Sequence, residues 1–175
     1  MKIICISGHA QHGKDTAADL LRWMLEANGN KVLITHYADL LKYICKAFFA
    51  WDGQKDEAGR SILQYVGTDV VRKKRPEYWV DFLVGIFELF GDNWDYVLIP
   101  DCRFPNEIDA LKSYGFDVIS MRIHRPNFKS SLTEEQKKHP SETALDDYEF
   151  DHVIENPGVL GAFNFVLADW IVKNL

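Results

Sequence analysis

The chain has 175 residues, 47% of them hydrophobic and 26% charged, with a formal net charge of −6. This is ordinary globular composition, enough for a single domain over residues 1–175 with a sizeable core. The acidic balance argues against nonspecific nucleic-acid or anionic-membrane binding as the main activity, yet it leaves room for a local basic pocket that holds phosphates.

In chain order, the first strand-like run is Lys2–Ile6. Met1 leads straight into it, so no signal peptide is expected, and no apolar run has membrane-spanning length. Next come Gly8-His9-Ala10-Gln11-His12-Gly13-Lys14-Asp15-Thr16 and a helical periodicity over Thr16–Ala27, stopped by Asn28-Gly29-Asn30. Strand, glycine-bounded loop, lysine and helix together are the context of a phosphate-binding P-loop. The glycines let backbone N–H groups turn inward, and the helix N-terminus adds a positive dipole end. Gly8, His12, Gly13, Lys14, Asp15 and Thr16 are therefore expected to cradle a triphosphate, with Lys14 as its point charge. The residue after the lysine is normally Ser or Thr; here it is Asp15, read as a Mg²⁺-side carboxylate, with the Thr16 hydroxyl given to the α-phosphate.

A second strand is expected at Lys31–His36 and a helix at Asp39–Phe49, opening with Asp39 and Lys42. These two fit either an acceptor-side pair or a solvated i, i+3 pair. Trp51–Arg60 reads as a polar loop, and helical patterns follow at Gly59–Val66 and Glu77–Phe90. Between them lies Gly67-Thr68-Asp69-Val70-Val71-Arg72 with Lys73-Lys74-Arg75, a basic cluster in an acidic chain. Arg72 suits a bidentate clamp on a monophosphate, and Trp79 or Tyr78 suits stacking on a base. The apolar Trp79–Phe90 stretch reads as core, with a homodimer face as the alternative.

The third strand, Tyr96–Ile99, leads to Asp101, in the place of the second metal-side acid of P-loop proteins. Arg103 follows as a phosphate partner that Glu107 would otherwise neutralise, and Pro105 opens a helix over Asn106–Tyr114. Strand Asp117–Ile123 feeds Arg125 and a polar stretch, 125–140, without a clear element of its own, which reads as a mobile lid. Ser141 is expected to cap a helix start. Strand His152–Ile154, Asn156-Pro157-Gly158 and helix Val159–Leu175 complete the chain. Cys5, Cys45 and Cys102 are odd in number and lack zinc-ligand spacing; Cys5 and Cys102, in or beside strand-like runs, read as buried thiols, and a reducing cytoplasm fits. The alternation predicts an α/β fold: a mainly parallel five-stranded sheet in three layers, with its site beyond the carboxyl ends of the strands.

Gly13-Lys14-Asp15-Thr16, Trp51-Asp52-Gly53, Gly67-Thr68-Asp69 with Arg72, Tyr78-Trp79-Val80, Asp101-Cys102-Arg103-Phe104-Pro105-Asn106-Glu107 and His139-Pro140-Ser141-Glu142 occur in this order. Together they resemble the deoxynucleoside monophosphate kinases of tailed bacteriophages, along nearly the whole chain. The resemblance implies a P-loop kinase fold and ATP with Mg²⁺. It implies γ-phosphoryl transfer to a deoxynucleoside monophosphate, in the host cytoplasm for a phage-encoded chain. It implies Lys14 on the donor phosphates, Asp39, Arg72 and Arg103 on the acceptor side, Arg125 on the lid, and Asn156 in the adenine-side loop. Lys14, Arg125 and Asp101 are then the expected catalytic groups, and Asp15 and Asp101 the metal-side carboxylates. Two other readings stay open: a P-loop kinase of another small phosphorylated acceptor, and a noncatalytic ATP-binding module.

Overall fold

The computed structural model describes residues 1–54 and 56–175. Two compact units form, one from Met1–Thr35 with Gly91–Leu175, the other from His36–Phe90.

The first unit carries a five-stranded sheet of β1 (Lys2–Ser7), β2 (Val32–Ile34), β3 (Tyr96–Ile99), β4 (Asp117–His124) and β5 (His152–Glu155). Its order is β2-β3-β1-β4-β5, and every neighbouring pair is parallel. β1 is central, so Ile3, Ile4, Cys5 and Ile6 are buried on both faces of the sheet. Helix α1 (Lys14–Ala27) lays Ala17, Ala18, Leu21 and Leu25 against the sheet, as a stripe of period 3.6 requires. The final helix, Leu160–Asn174, adds Phe163, Leu167 and Trp170 to the same core with Ile4, Ile6, Leu98 and Ile123. Each such side chain withdrawn from water contributes about 1.5–3 kcal/mol. The mainly parallel α/β sheet expected from the sequence is therefore the fold, and no helix among the described residues is long and apolar enough to cross a membrane.

β2 is shorter than the expected Lys31–His36. It is an edge strand paired with β3 alone, and the His36 carbonyl already accepts a helical-type bond from the Asp39 N–H.

The second unit holds α2 (Ala38–Phe48), α3 (Glu57–Gln64), a π-helix (Tyr65–Arg72) and α4 (Tyr78–Phe90). Cys45, Trp51 and Val66 centre its core, with Leu41, Ile44, Ile62 and Leu63 packed around them. The expected loop Trp51–Arg60 ends early because Asp56 caps α3, accepting from the Gly59 N–H at 2.8 Å. Lys55, within that loop, lies outside the described residues. The π-helix was not expected. Its wide turns bring Gly67 so close to Leu41 that a Cβ there would stand 2.7 Å from a methyl carbon, and the Trp79 indole N–H donates to the Gly67 carbonyl at 3.2 Å.

Back in the first unit, α5 (Pro105–Ser113) follows β3, and two one-turn helices, α6 (Glu134–Lys137) and α7 (Pro140–Thr143), follow β4; the final helix is α8. The 125–140 stretch thus does contain an element. Thr133 caps α6 by accepting from the Gln136 N–H, and the Gln136 side chain returns the bond to the Thr133 N–H. The cap of α7 is His139, not Ser141. Its Nδ1 accepts from the Ser141 N–H at 3.2 Å while Pro140 takes the first helical position.

Candidate active site

The loop between β1 and α1 is shaped by close approach. Gly8 has φ +143°, and a Cβ on it would stand 2.4 Å from the Ile123 carbonyl oxygen. Gly13 has φ +95°, and a Cβ there would meet the Asn156 amide nitrogen at 2.6 Å. Gln11, at φ 65°, holds a left-handed conformation that costs a side-chain-bearing residue about 1 kcal/mol or more. No side chain caps α1, whose N-terminal turn faces the loop with the positive end of the helix dipole. Asp15 and Thr16 are exposed on that first turn.

Lys14 lies across this loop, 7% exposed. Its Nζ donates to the carbonyls of Gly8 at 2.7 Å and His9 at 2.9 Å. Burial, and after it the positive charge of Arg103, pull its ammonium down to about 8; Glu142, Asp15 and Asp101 pull the other way. One arginine and three carboxylates thus act on one lysine at the loop. This is the charge pattern of a site for a polyanion and a hard cation.

The rim of the loop is braced residue by residue. The Ala10 N–H donates to Glu142 Oε2 at 3.1 Å. Gln11 exchanges bonds with Ser131 in the 125–140 stretch: its Nε2 donates to Ser131 Oγ at 2.9 Å, and its Oε1 accepts from the Ser131 N–H at 3.1 Å. His12 Nδ1 accepts from the Arg125 N–H at 3.2 Å. Desolvation, then the charges of His9 and His124, lower the His12 pKa to about 4, so His12 is neutral at pH 7. Asn156 is buried; its Nδ2 donates to the His12 carbonyl at 2.9 Å and its Oδ1 accepts from the Gly158 N–H at 2.9 Å. Asn156, expected in the adenine-side loop, has both ends of its side-chain amide engaged by backbone.

The arginines divide by their partners. Arg122 is taken up by the Leu145 carbonyl at 2.5 Å and Asp146 at 2.6 Å. Arg125 holds its guanidinium over the Phe128 ring, 4.3 Å from the centroid, a cation–π contact. Arg103 pairs through Nη1 with Glu142 and donates from the same atom to the Ser141 carbonyl at 3.1 Å. Glu107, set against Arg103 in the sequence reading, instead accepts from the backbone N–H groups of Arg103 at 2.5 Å and Phe104 at 3.0 Å. It thereby caps α5 and fixes where the Arg103 side chain starts.

The remaining expected residues lie in the second unit. Asp39 and Lys42 form an ion pair at 2.9 Å, and Asp39 also accepts from the His36 N–H at 3.0 Å. Burial works against the Asp39 carboxylate, but bonds from Lys42 and the nearness of His36 outweigh it and lower its pKa. Arg72 ends the π-helix, half-buried, and Trp79 is buried with its indole bonded inside the unit.

Among the described residues no three His, Cys, Asp or Glu side chains gather into a metal-binding set. A Mg²⁺ ion does not need one, since it keeps waters and takes one or two carboxylates plus substrate phosphates. Exposed Asp15 and half-buried Asp101, both acting on Lys14, fit that demand in chemistry. Sequence reasoning missed Glu142 and Gln11. The Glu142 signal was present in His139-Pro140-Ser141-Glu142, a capped turn that presents an acid; Gln11 has no local signal.

The profile of the deoxynucleotide monophosphate kinase family matches residues 28–165, a stretch that begins after the P-loop. The deoxynucleotide monophosphate kinase of Enterobacteria phage T4 is 35% identical over 103 residues, 58% of this chain and 40% of that relative's length. A putative deoxynucleotide monophosphate kinase of Acanthamoeba polyphaga mimivirus is 29% identical, covering 93% of this chain and 92% of the relative. In architecture the chain is similar to the APS kinase of Mycobacterium tuberculosis solved with AMPPNP and APS. That likeness has a TM-score of 0.54 at 14% identity and covers 98% and 97% of the two chains. With the family profile matched over well more than half of its length, the chain belongs to the deoxynucleotide monophosphate kinase family.

Proposed function

We propose that this chain transfers the γ-phosphoryl group of ATP to a deoxynucleoside monophosphate, giving the diphosphate and ADP. The observation that carries the reading is the buried Lys14 ammonium inside a braced glycine loop, with the Arg103 charge acting on it, in a chain of this family. A monophosphate acceptor is its own nucleophile, since its second ionisation lies near pH 6. One acceptor oxygen attacks Pγ in line, the bond from Pγ to the β,γ-bridging oxygen breaks, and ADP carries that electron pair away. The protein supplies position and charge.

Lys14 leaves the Gly8 and His9 carbonyls and turns to the phosphates, where its amine holds its proton against burial. The N-terminal turn of α1 receives phosphate oxygens. Arg103 and Arg125 meet charge on the transferring group, and the 125–140 stretch closes over both substrates as a lid, excluding the water that would otherwise hydrolyse ATP. Asp15 and Asp101 are the residues that would hold Mg²⁺, which supplies Lewis-acid neutralisation of the β- and γ-oxygens when bound. Asp39, Lys42 and Arg72 serve the acceptor, and the reaction takes place in the cytoplasm, that of the host where the chain is phage-encoded.

The test is acceptor-dependent ADP formation with ATP, Mg²⁺ and each of dAMP, dCMP, dGMP, dTMP and a hydroxymethylated pyrimidine monophosphate. The expected result is turnover with at least one acceptor, reduced about 10²–10³-fold in Lys14→Ala. ATP binding without turnover on any of them refutes the reading.

A further inference from the structure

We propose that Glu142 is the positioning residue of this site: it sets the plane of the Arg103 guanidinium and locks it to the rim of the phosphate loop. The proposal rests on the kinase reading, since it gives Arg103 a phosphate to meet.

A single helical turn such as Pro140–Thr143 is too short to be stable by itself. Here it is held by its flanks. His139 accepts from the Ser141 N–H, its ring nitrogen lies 2.8 Å from Ser141 Oγ, and the Glu142 N–H donates to the His139 carbonyl at 2.8 Å. The outcome of this local order is the placement of one carboxylate, 11% exposed. One of its oxygens receives the Ala10 N–H of the phosphate loop, and the other pairs with Arg103 Nη1.

Arg103 is the informative partner. Its side-chain bonds to Glu142 and to the Ser141 carbonyl both run through Nη1. Among the described residues none runs through Nε or Nη2. A guanidinium is planar, so fixing Nη1 with two acceptors fixes the whole fork. The Nε–Nη2 edge then presents two parallel donors, the geometry that takes two oxygens of a phosphate. The same carboxylate is bonded to Ala10, so the arginine and the donor-phosphate loop share one reference point. Lys14 feels both partners, which puts the pair within electrostatic reach of the phosphate lysine. Without the carboxylate, Arg103 would face the Lys14 charge alone and lose its fixed plane.

The experiment uses the full chain in five forms: wild type, Glu142→Gln, Glu142→Asp, Arg103→Ala and the Glu142→Gln/Arg103→Ala double variant. Rates are measured with ATP and acceptor varied separately, alongside melting temperature. Glu142→Gln keeps the shape and removes the charge. It is expected to lower kcat/KM for the acceptor about 10–100-fold, to raise KM for ATP by a smaller factor through the weakened bond to the Ala10 N–H, and to lower the melting temperature only modestly. In the double variant the loss should equal that of Arg103→Ala alone, because a positioning residue has nothing left to position. Glu142→Asp, which retains the charge one methylene short, should recover part of the rate. Losses that multiply, equal rises in both KM values, or Glu142→Gln kinetics like wild type overturn the proposal. If wild type turns over no acceptor, the kinase reading fails instead, and Glu142 is judged by inorganic tripolyphosphate binding. Weakening by Glu142→Gln that vanishes on the Arg103→Ala background supports the positioning role, and an effect independent of Arg103 overturns it.

Discussion

Lys14 carries a cost that can be measured without substrate. Its ammonium is 7% exposed and its pKa falls from the ordinary 10.5 to about 8. The unfolded chain therefore binds a proton between pH 8 and 10.5 that the folded chain does not, and stability rises with pH through that window. Below pH 8 both states hold the proton and the full penalty applies; above 10.5 neither does and the penalty is gone. Integrating the two titrations from pH 7 to pH 10 gives a gain of about 2.5 kcal/mol attributable to this group. Other groups titrate over the same range, so the comparison needs a reference that differs at this position alone. Lys14→Met has similar length and no charge. Urea unfolding of both proteins at pH 7 and pH 10 should show wild type gaining about 2–3 kcal/mol relative to Lys14→Met as the pH rises. The absolute difference at either pH also contains the lost bonds to the Gly8 and His9 carbonyls, which cancel between the two pH values. A difference that stays constant within about 0.5 kcal/mol would mean that Lys14 is hydrated in the free protein, and the picture of an ammonium folded back onto its own loop would be wrong.

Asn156→Ala leaves the His12 carbonyl and the Gly158 N–H without their partner; it should cost about 1–3 kcal/mol in urea unfolding and weaken ATP in a nucleotide titration. Trp79→Phe removes the bond to the Gly67 carbonyl in the π-helix and should cost about 1–2 kcal/mol, read by urea unfolding, with acceptor KM rising more than KM for ATP because Arg72 ends that helix. The His12 pKa lies near 4 in the folded chain against 6.5 ordinarily. Its contribution is intact above pH 6.5 and is lost as the pH falls through 6.5 toward 4, about 2 kcal/mol after allowing for screening; His12→Asn should flatten the acid limb of the stability curve relative to wild type.

The parts of this molecule that were legible in the sequence are those whose cause is local. Ile3-Ile4-Cys5-Ile6 is apolar at every position because β1 is covered on both faces, and a four-residue window suffices to see it. The α1 stripe and its Asn28-Gly29 stop follow from period and backbone freedom in the same way. The π-helix was illegible because its cause is not local: Tyr65–Arg72 has a helical pattern, and what widens it is a close approach to Leu41 and a bond from Trp79, neither adjacent in sequence. Glu107 reads as a counter-ion for Arg103 when only charge is considered. Its distance of three residues from Phe104, with Pro105 between, is the spacing of a helix cap, and that geometry decides the matter. Glu142 was hidden because its partners, the Ala10 N–H and the Arg103 guanidinium, lie far from it in sequence.

The phosphate loop shows why such long-range partners matter. Gln11 sits in a conformation costing a side-chain-bearing residue about 1 kcal/mol or more, and Gly8 and Gly13 have no side chains with which to hold their shape. A loop of this kind would not keep its amide groups directed by local preference alone. Its braces come from more than a hundred residues further along: Glu142 on Ala10, Ser131 on Gln11, the Arg125 N–H and Asn156 on His12. Three of those four lie in or beside the stretch proposed as the lid. Any movement of that stretch must therefore break bonds to the loop, so the order of the donor site and the position of the lid are one equilibrium rather than two. Under the kinase reading, electrostatic preorganisation is then expected only while these bonds are in place. Among the described residues Ser131 bonds the loop through Gln11, so under the kinase reading a substitution at Ser131, remote from the lysine in sequence, is expected to reach the donor phosphates by that route.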